Sequence, residues 1–171
     1  MSDGTMLREI AAEILKEVLE EGEYSHVALS RALGKYQYLE KQDRSFLKRV
    51  VDGTVEYRLQ MDYIIESYSR TKVNKMKPFI RTLLRMSAYQ IYYMDRVPDS
   101  AVCNEAVRLA KKRGFQGLSG FVNGVLRAIV RGKETLIFPD DSIRCSMPAW
   151  ILERWEKEQG KEAALRMAEA S

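Results

Sequence analysis

The sequence predicts an all-α fold, a helical bundle. Apolar residues recur at steps of three and four along most of the chain, glycine and proline stand at the ends of those stretches, and runs alternating with period two between turn signals are missing. Leu7, Ile10, Ala11, Ile14, Leu15, Val18 and Leu19 form the stripe of a first helix, and Gly22 supplies its left-handed stop. Ser25 is placed to cap a short second helix running towards Gly34, with Ala28, Leu29, Ala32 and Leu33 on its inner side. From Glu40 to Ser69 there is no proline and one glycine, which predicts one long helix or two joined near Gly53. A glycine inside a helix costs about 1 kcal/mol against alanine, so Gly53 marks a bend or the close approach of another helix.

Pro78 fits the first turn of the next helix, which should run to about Met94 and stop before Pro98. Another begins at Asp99 or Ser100 and ends at Lys111-Lys112-Arg113-Gly114, where cations and a glycine suit the helix dipole and a left-handed cap. Ser119 starts a helix carrying Phe121, Val122, Val125, Leu126 and Ile129, with Gly132 at its end. This makes six or seven helices over residues 1–135. Leu136-Ile137-Phe138 could form a short strand, residues 136–147 read as a linker, and residues 148–171, with Trp150 and Trp155, read as the helical start of a second domain.

The composition excludes several classes of function. Of 171 residues, 46% are hydrophobic and 30% charged, enough for a buried core and unlike a disordered or collagenous chain. The longest uncharged apolar stretch, Met86 to Met94, is far short of the roughly 20 residues of a membrane helix, and the acidic start lacks the basic opening of a signal peptide. A cytoplasmic protein without a membrane partner is expected. One histidine and two cysteines cannot supply paired zinc ligands; Cys103 reads as a core residue. Neither a glycine-rich turn after a strand nor a nucleophile beside a base is visible, so no cofactor and no catalytic residue is assigned to this chain.

Charge is unevenly spread. Residues 1–23 hold 2 basic and 7 acidic residues, residues 24–135 hold 21 and 10, and residues 136–171 hold 5 and 7. The basic middle points to a polyanionic partner, because each cation brought to a phosphate releases condensed counterions. The segment Ser67–Met94 carries Arg70, Lys72, Lys75, Lys77, Arg81 and Arg85 and no acid. Arg81 and Arg85, four residues apart, are expected on a solvent face beside Tyr89 and Tyr92, where bases could stack. Lys111, Lys112, Arg127 and Arg131 could extend that patch. Asn104, Glu105 and Asn123 sit amid apolar residues and read as a structural hydrogen-bond network between two helices.

The run from Asn104 to Lys112, followed by Gly120-Phe121-Val122-Asn123-Gly124-Val125-Leu126-Arg127, resembles the closing helices of the NusB-like RNA-binding fold. Upstream, Tyr24–Leu29, Gly53-Thr54, Arg58-Leu59, Asp62-Tyr63 and Arg85–Pro98 resemble that fold as it stands at the front of RsmB (Sun) proteins, over about residues 6–131 in all. Those proteins are S-adenosylmethionine-dependent methyltransferases acting on a cytosine carbon 5 of small-subunit ribosomal RNA. Arg127, where NusB-type proteins more often have Asp, and the stretch Ser146–Trp155 favour the RsmB branch. Neither Val102-Cys103-Asn104 nor Arg144-Cys145-Ser146 matches the Pro-Cys and Thr-Cys settings of that family's catalytic cysteines. The resemblance therefore implies a non-catalytic domain that docks small-subunit ribosomal RNA for a methyltransferase domain outside this chain, with S-adenosylmethionine bound there. That catalytic domain and a ribosomal protein are the implied protein partners. The alternative reading is a NusB-like antitermination factor or protein-interaction module. One departure is the acidic N-terminus: only Arg8 and Lys16 stand where NusB has an arginine-rich RNA-binding start, and that site is not carried over.

Overall fold

A computed structural model describes residues 4–146. Its helices are α1 (Gly4–Leu19), α2 (Ser25–Lys35), α3 (Lys41–Glu56), α4 (Arg58–Tyr68), α5 (Pro78–Tyr93), α6 (Asp99–Lys112), α7 (Ser119–Gly132) and the short α8 (Asp141–Cys145). Single 3-10 turns at Val73–Lys75 and Gln116–Leu118, which the sequence reading did not anticipate, lead into α5 and α7. Among the described residues there is no strand, and no helix is long and apolar enough to cross a membrane.

α5 is the axis of the bundle. It packs against α1, α3, α4, α6 and α7, and every residue from Thr82 to Ile91 is buried. Leu83, Leu84, Met86 and Ile91 meet Leu15, Leu47, Ile64, Leu109 and Leu126 in one core; burying a side chain of this size contributes about 1.5–3 kcal/mol. Pro78 occupies the first turn of α5, while Gly22 at φ +80° and Gly114 at φ +87° follow the ends of α1 and α6. Those punctuation signals did what the sequence predicted.

Other expectations need correction. Ser25 does not cap α2: the preceding Tyr24 takes the cap position, and its side chain makes no cap hydrogen bond. The break in the long helical stretch falls at Tyr57, not at Gly53. Gly53 is buried within α3, where the ring of Tyr89 lies so close that an added Cβ would overlap it. A close approach, rather than a bend, is what that glycine permits.

Leu136-Ile137-Phe138 is irregular chain rather than strand. Phe138 packs edge-on against Tyr63, ring centroids 5.9 Å apart, and the Tyr63 hydroxyl donates to the Ile137 carbonyl at 3.1 Å. The segment read as a linker then forms α8, capped by the Asp140 carboxylate, which accepts from the Ile143 N–H at 2.9 Å. Residues 148–171, expected to open a further domain, lie outside the described residues.

Candidate nucleic-acid interface

The acidic first helix and the basic middle of the chain are partners. Along α1, Glu9 accepts from Lys112 at 2.7 Å and from Arg113 at 3.2 Å, Glu13 also pairs with Arg113, and Glu17 pairs with Arg31 at 3.1 Å. Just beyond the helix, Glu20 receives both Nε and Nη2 of Arg81 at 2.5 Å, a two-pronged contact of the kind guanidinium and carboxylate favour. The Arg81 hydrogen bond holds the Glu20 carboxyl below the usual carboxylate range, and the Lys112 hydrogen bond does the same for Glu9.

Arg85 is more deeply placed. Its side chain is 7% exposed, and its Nε and Nη2 donate to the two oxygens of Asp62 at 2.6 and 3.0 Å. The expectation of a solvent-facing Arg81–Arg85 row is therefore corrected. α5 is buried on more sides than a surface helix, and both guanidiniums turn towards carboxylates on neighbouring elements. They line an open cavity of about 540 Å³ in which Arg58, Arg81 and Arg85 face Glu20, Asp62 and Glu66, so its charges balance.

The tyrosines beside that row are not a free stacking platform either. Tyr89 is buried against Gly53 and stacks on Tyr93, whose ring in turn lies 4.9 Å from that of Tyr57. Tyr92 is half-buried, with its ring 6.4 Å from Phe138. Burial pushes the phenols of Tyr92 and Tyr93 up to about 12.

A different set of cations is open. Arg70, Lys72, Lys75 and Lys77 sit on the connection between α4 and α5, all exposed, and none makes an ion pair or side-chain hydrogen bond among the described residues. Tyr68, at the start of the connection, sits against Gly132 at the end of α7. Thr71 reaches the other end of α7, lining a cavity of about 280 Å³ together with Lys75, Met76, Lys77, Ile80, Leu118 and Phe121. The connection thus runs alongside α7, bringing exposed cations to a mainly apolar hollow. Arg131 on α7 and Lys111 on α6 are likewise exposed and unpaired among the described residues.

The model of the NusB family matches residues 5–131. The chain belongs to the NusB family. The probable ribosomal RNA small subunit methyltransferase B of Bacillus subtilis (strain 168) is 37% identical over 166 residues, covering 94% of this chain but only 37% of that protein. The transcription antitermination protein NusB of Symbiobacterium thermophilum is 32% identical over 144 residues, 80% of this chain and 94% of the relative. Among solved structures, NusB in the crystal structure of antitermination factors NusB and NusE in complex with double-stranded RNA superposes with a TM-score of 0.69 at 23% identity, over 75% of this chain and 96% of that one. This last likeness concerns the fold.

Within this NusB domain, the residues singled out from sequence separate into three groups. Arg70, Lys72, Lys75, Lys77, Lys111 and Arg131 are open to solvent. Arg81, Arg85 and Lys112 are committed to carboxylates. Arg127 bridges α6 and α7, donating to Asn123 Oδ1 at 3.2 Å and to Asn104 Oδ1 at 2.9 Å. Asn104 and Asn123 thus share one network, whereas Glu105 faces α1, accepting from the Thr5 hydroxyl and, at 3.2 Å, from Arg108. The arginines of α5 and α7 do not meet: Arg81 turns to Glu20 just beyond α1 and Arg85 to Asp62 of α4, whereas Arg127 turns to Asn104 of α6 and Arg131 is open to solvent. Sequence reasoning missed Glu20 and Asp62 as the partners of Arg81 and Arg85, and no local signal marks them.

Proposed function

We propose that this NusB domain docks small-subunit ribosomal RNA for an S-adenosylmethionine-dependent cytosine-C5 methyltransferase whose catalytic domain lies outside these residues. The observation that carries the reading is the contrast within the basic block: most cations near α1 are neutralised, while Arg70, Lys72, Lys75 and Lys77 are left open, the last two lining the hollow at Phe121. Phosphates on those four side chains would supply affinity and register, and the hollow offers an aromatic face to an unstacked base. The methyltransferase half of the proposal is supported by the B. subtilis relative, whose likeness runs past the family match and across nearly the whole chain. S-adenosylmethionine would be bound by the domain outside these residues, the work would be cytoplasmic, and its ribosomal RNA substrate accords with the name of the B. subtilis relative.

A second reading, a free-standing antitermination factor that pairs with a ribosomal protein, is favoured by the S. thermophilum NusB, of which this chain covers 94%. Methylation of small-subunit RNA by the product of the intact gene separates the two.

The RNA surface is tested by measuring affinity for a small-subunit RNA fragment at about 50 and about 200 mM salt. Four phosphate contacts give a loss of roughly 50- to 150-fold over that interval. The combined variant Arg70→Ala, Lys72→Ala, Lys75→Ala, Lys77→Ala should bind more weakly and with a nearly flat salt response. An unchanged salt slope in that variant would place the RNA elsewhere.

A further inference from the structure

Helix α4 begins where α3 stops, with no local cap. Tyr57 stands at its N-cap position and makes no side-chain cap hydrogen bond, and tyrosine is not among the residues that serve this role. The first-turn N–H groups need acceptors, and at Gln60, 1% exposed, water does not supply one. The acceptor comes from 86 residues away. Ser146 Oγ accepts from the Gln60 N–H at 3.3 Å and from the Leu59 N–H at 3.0 Å.

Two further features hold Ser146 in that place. The Gln60 side chain donates to the Arg144 carbonyl at 2.7 Å and accepts from the Tyr93 hydroxyl at 2.5 Å. Cys145 is buried. Ser146 itself ends α8 in the left-handed conformation at φ +55°, its N–H donating to the Ile143 carbonyl at 3.1 Å, a backbone state that residues with a Cβ seldom adopt.

We propose that Ser146 caps α4 from across the fold and latches residues 139–146 to the bundle, making α4 a strut about 16 Å long. The strut has Ser146 at one end and the cationic connection at the other. The latch itself involves no RNA. For the RNA-docking role proposed above, on which this part of the inference rests, it fixes the separation between the place where phosphates are held and the point at which residues 147–171 are joined to the bundle.

Site-resolved amide hydrogen exchange on the 171-residue chain, without RNA, tests this. Ser146→Gly relieves the backbone strain but removes the acceptor. Exchange at Leu59 and Gln60 should then quicken about fivefold, with Ile143 and Arg144 quickening alongside. Ser146→Asn tolerates the left-handed backbone and carries an acceptor oxygen, so it should restore slow exchange at all four. Unchanged exchange in the glycine variant overturns the cap. Faster exchange at Leu59 and Gln60 alone, with Ile143 and Arg144 unaffected, overturns the latch. Because RNA is absent from the sample, neither outcome depends on whether the cationic connection binds it.

Discussion

The basic residues beside α1 and those on the α4–α5 connection contribute the same kind of charge to the sequence and behave differently in the fold. Arg81, Arg85, Lys112 and Arg113 each have a carboxylate within reach, and Arg85 is almost wholly withdrawn from water. Arg70, Lys72, Lys75 and Lys77 have none among the described residues. The first group is part of what holds the bundle together; the second adds to its field. Net charge per segment already cancels Arg85 against Asp62, but it counts as free the cations that pair with acids of residues 1–23, namely Arg31, Arg81, Lys112 and Arg113, and so overstates the positive surface of the middle segment.

The largest effect that would break this contrast is expected at Arg85. Replacing it by Met leaves Asp62, at 22% side-chain exposure, without its bidentate partner, and should cost about 2–3 kcal/mol in urea unfolding, below the range for fully buried pairs because water reaches the carboxylate. If Arg85→Met proved neutral, the pair would be no more structural than an exposed one.

A smaller effect follows from pH. Glu9 and Glu20 have carboxyls whose folded pKa lies below the ordinary glutamate value of about 4.3, so their contribution is present above that value and is lost as pH falls through the lower folded pKa. Stability should decline on acidification below about pH 4.3, and Glu20→Gln should flatten that decline in a urea-midpoint profile. The smallest effect sharpens the other half of the comparison: the fourfold alanine variant of the α4–α5 connection should lose no more than about 0.5 kcal/mol per replaced side chain, because none of the four makes an ion pair or side-chain hydrogen bond among the described residues. A marked drop in its stability would show that the open cations are structural after all.

Most of the fold was legible because its signals are local. The apolar stripe of α1, Pro78 in the first turn of α5, and Gly22 and Gly114 past the ends of α1 and α6 act within a few residues of themselves, and backbone geometry enforces them wherever they occur. The break at Tyr57 was not legible, since no glycine, proline or capping residue marks it, and the one glycine of the stretch, Gly53, serves the close approach of Tyr89 instead. The candidate site was legible only in part. The connection bearing Arg70 to Lys77 was visible as a run of one sign, but the fate of Arg81 was settled by Glu20, 61 residues earlier, once α1 came to lie beside α5. Ser146 was equally hidden, because a cap is ordinarily sought next to the helix it closes.

The contact between Gly53 and Tyr89 ties two distant positions into one unit of variation. The phenol ring fills the space that any side chain at 53 would occupy, and it also supports the stack formed with Tyr93 and Tyr57. Bulk can enter at 53 only if it leaves at 89, and leaving at 89 strips an end ring from the stack, exposing one face of Tyr93. Descendants of this sequence can therefore drift freely at neither position, and a paired exchange of glycine and tyrosine for two residues of intermediate size is the mutational route the packing leaves open.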